Sequence, residues 1–537
     1  MARTPLLTEV QRLAAHFDRE VSRREFIKVT GAAVGAAAVT SPIAAFADAA
    51  PRIAIVGGGI AGLNGALTLQ DAGVASTVYE ASNRVGGRMH SDSPLTNPGG
   101  TSTWENGQTS EHCGELIDSG HKTILKLANR FNLPTVDLLG AEPIQSSETY
   151  YFFHQYYPRV QAISDFKPVY NAVHKDMSAA GYPTTYKTHT DAGVALDQLS
   201  VYDWIETRVP GGHTSPMGQL LDVAYNIEYG NVSTVQSSLN LIYLLAFQPI
   251  PGNFRIFGAS DERYHIAGGN ERLPKAIAAS LPPSSIKLNT ALTGIAINAD
   301  GSYNLSFSSP SGPFTSTFDR VILAVPFSVL RTLNYRKANF DDRKVTAIRE
   351  LGYGANCKLQ LQFDTRYWND PAGSWVTSVG ISNGASYADT GYQNTWDVTR
   401  AQSGGTGILV DYTGGGVPLA SFKGQPTAAD AVRYGQTFLN QIEPLFPGIS
   451  AQWNGRATLD TPLTNPFLLG SYSYWKVGQY VKFSGWEGAR QPFPNGRCHF
   501  AGEHCSQNFQ GYMEGGASEG ARAAGEILGD YKVGIFP

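Results

Sequence analysis

The sequence predicts an α/β protein: a parallel-sheet domain assembled from separate parts of the chain, and a second, mixed α+β domain. Three observations predict it. A short apolar strand near the N-terminus runs into a glycine-rich turn and an Ala/Leu helix. A second glycine-rich segment stands near the other end, before a last helix. Between them, the 537 residues carry further strand patterns, at a length suited to two or three domains.

Composition narrows the class. Apolar residues make up 42% and charged residues 16%, which supports a large core and argues against disorder. Net charge is −4, so no basic field marks nucleic acid as a partner. The four cysteines, Cys113, Cys357, Cys498 and Cys505, are too few for a disulfide scaffold and form no CxxC pair. No metal site is expected.

Residues 1–47 read as an export signal. Ser22-Arg23-Arg24-Glu25-Phe26-Ile27-Lys28 precedes a stretch from Val29 to Ala47 without charge, ending in Ala45-Phe46-Ala47. A charged start, a short apolar run and a small-x-small site make a signal peptide. The arginine pair points to twin-arginine export machinery. A periplasmic or secreted protein with its mature start near Asp48 is therefore expected. A retained membrane anchor is the alternative.

Arg52–Val56 has the pattern of a buried strand. Gly57-Gly58-Gly59-Ile60-Ala61-Gly62 follows as GxGxxG, then a helix to about Asp71, then the strand Thr77–Tyr79 ending in Glu80. This is the βαβ context a dinucleotide needs. Gly57 permits the tight turn, Gly59 the approach of a pyrophosphate, and Gly62 close helix–strand packing. The helix N-terminus, at Ala61, offers free N–H groups to phosphate. Glu80 is placed to accept hydrogen bonds from a ribose.

Glu80-Ala81-Ser82-Asn83-Arg84-Val85-Gly86-Gly87-Arg88 comes next. Phe500-Ala501-Gly502-Glu503-His504 and Gly511-Tyr512-Met513-Glu514-Gly515-Gly516 stand near the C-terminus. Together these segments resemble the flavin-containing amine oxidase superfamily, which includes monoamine, polyamine and L-amino-acid oxidases. The resemblance implies a Rossmann-like FAD-binding domain of the GR2 type, with Arg84, Gly86, Gly87 and Arg88 around the pyrophosphate. It implies that Gly502 and Glu503 bind the cofactor and that the Met513 backbone faces the flavin. Ile295 is expected to meet adenine. The FAD domain is expected from 48–120, 255–332 and 460–532, and the substrate domain from 121–254 and 333–459. Helices are expected around Lys122–Arg130 and Gln219–Glu228.

The resemblance also implies the catalytic residues. Gly470-Ser471-Tyr472-Ser473-Tyr474-Trp475 resembles a family segment whose third residue is an aromatic wall. Tyr472 and Tyr512 are expected to form a cage over the flavin, where a cation–π contact could hold an ammonium. Lys358 is expected to hold a water against flavin N5. Ser471 stands where some relatives carry a tethering cysteine, so FAD is expected to be non-covalent. The expected reaction takes a hydride from the carbon beside an amine nitrogen.

An L-amino-acid oxidase needs a cation for the substrate carboxylate. The segment Gly114–His121 has acids and no arginine. Glu115 and Asp118 are therefore read as candidates for binding an amine, or as caps or cofactor contacts. Arg255 and Arg263 are left as cations that could serve a carboxylate. The expected substrate is a small-molecule amine, with dioxygen or a redox protein as acceptor. L-amino-acid oxidase and cytochrome-coupled dehydrogenase are the alternatives, and a homodimer is left open. A desaturase or a non-catalytic FAD module fits less well with paired tyrosines and Lys358 in place.

Overall fold

The structure, a computed structural model, describes residues 51–248, 254–417, 422, 426–494 and 496–532. The expected export signal at 1–47 lies outside them. Among the described residues, no helix is long and apolar enough to cross a membrane.

A five-stranded parallel sheet carries the nucleotide motif. Its order is Cys498–Phe500, Arg320–Leu323, Ile53–Val56, Thr77–Tyr79 and Ile286–Lys287. All four side chains of Ile53–Val56 are buried, as expected of a strand covered on both faces. The helix Ile60–Asp71 follows it directly. The last helix, Met513–Lys532, packs against that helix. Glycine makes this approach possible, since a Cβ on Gly520 would fall 2.0 Å from the Ala61 carbonyl oxygen. Asn64 also donates to the Ala517 carbonyl at 2.7 Å. The two distant glycine-rich segments are thereby brought side by side.

A seven-stranded sheet forms the second region. Its order is Trp453–Asp460, Cys357–Phe363, Gly407–Thr413, Asn394–Asp397, Ser382–Ala388, Ser147–Phe152 and Gln155–Tyr156. Along Cys357–Phe363 the side chains alternate. Leu359, Leu361 and Phe363 enter a core shared with the helix Ala428–Ile442, and Lys358 points the other way. Further helices pack around this region, among them Arg159–Ala180, Pro216–Tyr229 and Ser238–Leu245.

Two expected boundaries shift. The helix Lys122–Arg130 buries Ile124, Leu127 and Ala128 in one cluster with Ile53 and Ile55. Its first turn is capped by Glu514, which accepts from the Thr123 and Ile124 N–H groups at 3.0 and 2.9 Å. Thr135–Asp137 then pairs with Tyr264–Ile266. Residues 121–137 therefore sit with the nucleotide-binding sheet, not with the second region. Asn334–Lys337 pairs with Ala291–Ile297 and extends the first region past residue 332.

Candidate active site

A cavity of about 940 Å³ lies between the two regions. Gly57, Gly59, Ala61, Glu80, Arg84, Gly86, Gly87, Arg88, Gly502, Glu503 and Met513 line one part of it. Gly62 is buried behind them in the helix. The Gly57 N–H donates to the Tyr79 carbonyl at 2.8 Å, which fixes the turn after the strand. Gly57 has φ +107°, a conformation suited to glycine. Glu80 closes the end of the second strand, and its carboxylate accepts from the Gly58 N–H at 2.6 Å and the Ser82 N–H at 2.8 Å.

Arg84 binds its own turn. It donates to the Val85 carbonyl at 3.2 Å and the Gly87 carbonyl at 2.6 Å. Arg88 instead spans the cavity wall, donating to the Ser471 carbonyl at 2.8 Å and to Glu503 at 2.9 Å. Glu503 also accepts from the Ser473 hydroxyl at 2.7 Å and the Gly511 N–H at 2.9 Å. Burial opposes the Glu503 charge, and the Arg88 guanidinium outweighs it, so the carboxyl sits below its ordinary range.

These residues fit a dinucleotide. A Cβ built on Gly59 would meet nothing nearer than the Gly86 carbonyl oxygen at 4.0 Å. The backbone at Gly59 therefore borders open cavity beside a helix N-terminus, where phosphate is favoured. His504 lines the same space, and neither of its buried ring nitrogens has a hydrogen-bond partner among the described residues. Burial pushes it down to about 3, so it is a neutral imidazole with both a donor and an acceptor to offer.

The opposite wall is aromatic. The Tyr472 hydroxyl donates to the Ile227 carbonyl at 3.1 Å and lies 3.0 Å from the Tyr412 hydroxyl. Tyr412 meets the edge of Trp396 at 5.2 Å between ring centroids. The Tyr512 hydroxyl donates to Glu228 at 3.2 Å. All five side chains line the cavity. Lys358 is buried at this wall, 2.6 Å from Glu115 and 5.3 Å from the Trp396 ring centre.

Three expected site residues are placed otherwise. Ile295 does not line the cavity; Thr290, Ala291 and Leu292 do. The strand register shifts between Leu292 and Gly294, and Ile295 turns into the core. Asp118 lies behind the wall. Its carboxylate accepts from the Ser260 hydroxyl and the Glu262 N–H, each at 2.9 Å, and so holds the 260–262 corner instead of facing an amine. Glu115 lines the cavity, but both its oxygens are taken, by Lys358 at 2.6 Å and by the Trp396 indole N–H at 2.9 Å. The tyrosines at 150–157 serve mainly the core, with Tyr150 and Tyr157 buried there.

The sequence reading missed Glu228, Glu262, Trp396 and Tyr412. Glu262 has φ +45°, rare for a residue with a side chain, and lines the cavity. Burial, with Asp118 and Glu228 nearby, pushes it up to about 8. Of the two arginines left open, Arg263 is paired with Asp137 at 2.5 Å. Arg255 lines the cavity.

A parallel-sheet cradle for a dinucleotide, joined to an aromatic chamber with a buried lysine, defines a flavoprotein oxidoreductase. The chain belongs to the flavin-containing amine oxidoreductase family, whose profile matches residues 60–528. Its cofactor is a flavin, and the cradle fits FAD. It is 24% identical to a putative L-amino-acid oxidase, YobN, of Bacillus subtilis, over 89% of this chain and 94% of the relative. It is also 24% identical to polyamine oxidase 6 of Oryza sativa, over 89% and 90%. Among solved structures, putrescine oxidase superposes with a TM-score of 0.72 at 17% identity, covering 89% of this chain and 99% of the other. Cyclohexylamine oxidase from Brevibacterium oxydans does so at 0.71 and 18%, covering 90% and 99%.

Proposed function

We propose that this protein oxidises small amines at the carbon beside nitrogen. One observation carries the reading: the dinucleotide cradle and the Tyr472–Tyr412–Trp396 wall line one continuous cavity. When bound, FAD would supply the two-electron acceptor for the hydride and relay the electrons to dioxygen, giving hydrogen peroxide, while the imine product would hydrolyse to a carbonyl compound and ammonia or amine. The chain's residues do the positioning. The aromatic wall excludes water and packs the apolar body of the substrate. Glu228, oriented by the Tyr512 hydroxyl, and Glu262 give the amine nitrogen acidic neighbours. Burial pushes the Glu262 carboxyl up to about 8, so near neutral pH it is largely the neutral acid and does not stabilise the unreactive ammonium as a carboxylate would.

A second reading, oxidation of L-amino acids, is favoured by Arg255. Its guanidinium has no hydrogen-bond or ion-pair partner among the described residues, and it borders the cavity. Anaerobic mixing with monoamines, polyamines and L-amino acids separates the two. Amines alone are expected to bleach the oxidised-flavin band. Bleaching by L-amino acids, lost in Arg255→Ala, would establish the second reading.

We also propose that FAD is held without a covalent bond. Ser471 uses its hydroxyl on Asn356 at 2.6 Å. The thiol Cys113, which also lines the cavity, is pushed up to about 11, chiefly by burial, and stays protonated. Acid precipitation is expected to release all the yellow colour. Flavin left in the pellet would overturn this and direct attention to Cys113 and Cys357.

A further inference from the structure

We infer that Glu115 is a positioning residue: it fixes Lys358 as an ammonium at the wall of the flavin cavity. The inference rests on the assignment of this cavity to FAD. Lys358 Nζ lies 2.6 Å from Glu115 Oε2 and 3.3 Å from the Glu111 carbonyl oxygen. Both side chains of the pair are only 6% exposed. Trp396 donates its indole N–H to the second Glu115 oxygen at 2.9 Å, so the carboxylate cannot swing away without leaving that donor bare. The lysine ammonium lies in turn 5.3 Å from the same ring's centre. Lysine, carboxylate and indole thus form a closed set in which each fixes the next.

The charged neighbours are otherwise engaged. Glu111 is bound to His265 at 2.8 Å and to the Ser91 hydroxyl. Asp460, which pairs with Lys358 across the strands, holds His112 at 2.9 Å. The Tyr412 hydroxyl meets Tyr472, and the Cys113 thiol is protonated. Among the described residues, Glu115 is the carboxylate that forms an ion pair with Lys358. Without it, a lysine buried this deeply loses its proton near or below neutral pH, because burial penalises the charged form. With it, the Lys358 ammonium keeps a carboxylate partner 2.6 Å away at the wall of the cofactor cavity. The carboxylate also makes the pair neutral overall, which moderates the field at the flavin.

The test needs no substrate. Holoprotein of the wild type, Glu115→Gln, Glu115→Asp, Lys358→Met and the double variant E115Q/K358M would be compared. The readouts are the visible flavin spectrum and the midpoint potential across roughly pH 5 to 9, a window that contains the range near and below neutrality into which an unpaired buried lysine falls. Glu262 and His112 are common to all five, so only differences from the wild type count. Glu115→Gln is expected to gain one ionisation in both readouts. That ionisation should be missing from K358M and the double variant, and Glu115→Asp should follow the wild type. A Glu115→Gln protein that tracks the wild type at every pH overturns the inference, as does an ionisation that survives in the double variant. If Glu115→Gln yields no holoprotein, the double variant decides. Recovered flavin there supports the coupling, and a double variant equally empty overturns it. A wild type without flavin would instead fail the cofactor assignment.

Discussion

Gly62→Ala is expected to yield a protein that retains almost no FAD. A Cβ at this position would stand 1.9 Å from the Gly57 carbonyl oxygen and 3.2 Å from Ile55 Cγ2. The first contact is with backbone, so no side-chain rotation relieves it. The turn cannot retreat either. Gly57 is held by its hydrogen bond to the Tyr79 carbonyl, and its own Cα already faces the Ala324 carbonyl so closely that a Cβ would fall 2.5 Å from it. The helix must therefore move off the strand. Its far face is closed by the last helix at Ala61 and Gly520, so the movement would open both helix N-termini that border the cavity. A loss of about 3 kcal/mol in FAD binding, or a little over 100-fold in affinity, follows from a displacement of this kind. The ratio of flavin to protein absorbance after gel filtration reads it directly. Gly73→Ala is the control. Gly73 has φ +76° but no atom within 4 Å of a built Cβ, so it should lose only about 1 kcal/mol of stability and keep its flavin. Full flavin content in Gly62→Ala would mean that the turn is softer than its contacts indicate.

The same contacts explain what was legible in the sequence. Gly57, Gly59, Gly62 and Glu80 are local features of one βαβ unit, in which the Gly57 N–H bonds to Tyr79 and Gly62 packs on Gly57 and Ile55. The boundaries of the helix Ile60–Asp71 and the strand Thr77–Tyr79 follow from the same periodicity. Ile295 was misplaced because adenine-side lining depends on strand register, and a shift between Leu292 and Gly294 is invisible in an apolar run. The sequence leaves Glu115 and Asp118 open between amine binding and cap or cofactor contacts because their partners are remote in the chain: Lys358 lies 243 residues from Glu115, and Ser260 lies 142 residues from Asp118. Trp396, Tyr412 and Glu228 carry no motif at all. They sit on strands and a helix whose cavity-facing positions look like any other amphipathic face. Glu262 gave no signal because its left-handed backbone is imposed by the Asp118 carboxylate, not by a glycine.

Glu503→Gln is expected to weaken both the fold and its hold on FAD. Glu503 is 5% exposed and joins three distant segments: Arg88 of the turn, Ser473 of the aromatic segment, and Gly511 before the last helix. Glutamine keeps the shape but replaces one acceptor oxygen with a donor, so either Arg88 or the Gly511 N–H faces another donor. Breaking a buried ion pair from one side is destabilising by roughly 3–5 kcal/mol. Arg88 keeps 24% of its side chain exposed, so solvent screens part of this and about 2–3 kcal/mol is the better expectation. The pH dependence identifies the cause. The Glu503 carboxyl titrates below its ordinary value in the folded protein, so its contribution is fully present above about pH 4.3, the unfolded value. It is lost as pH falls from there through the lower, folded value. The stability gap between wild type and Glu503→Gln should therefore be constant near neutrality and narrow on acidification. Urea unfolding of the two proteins at steps from neutral pH down to about 3 measures this. A gap of unchanged size at the acid end would assign the loss to packing, and Glu503 would then hold the three segments together by shape and not by charge.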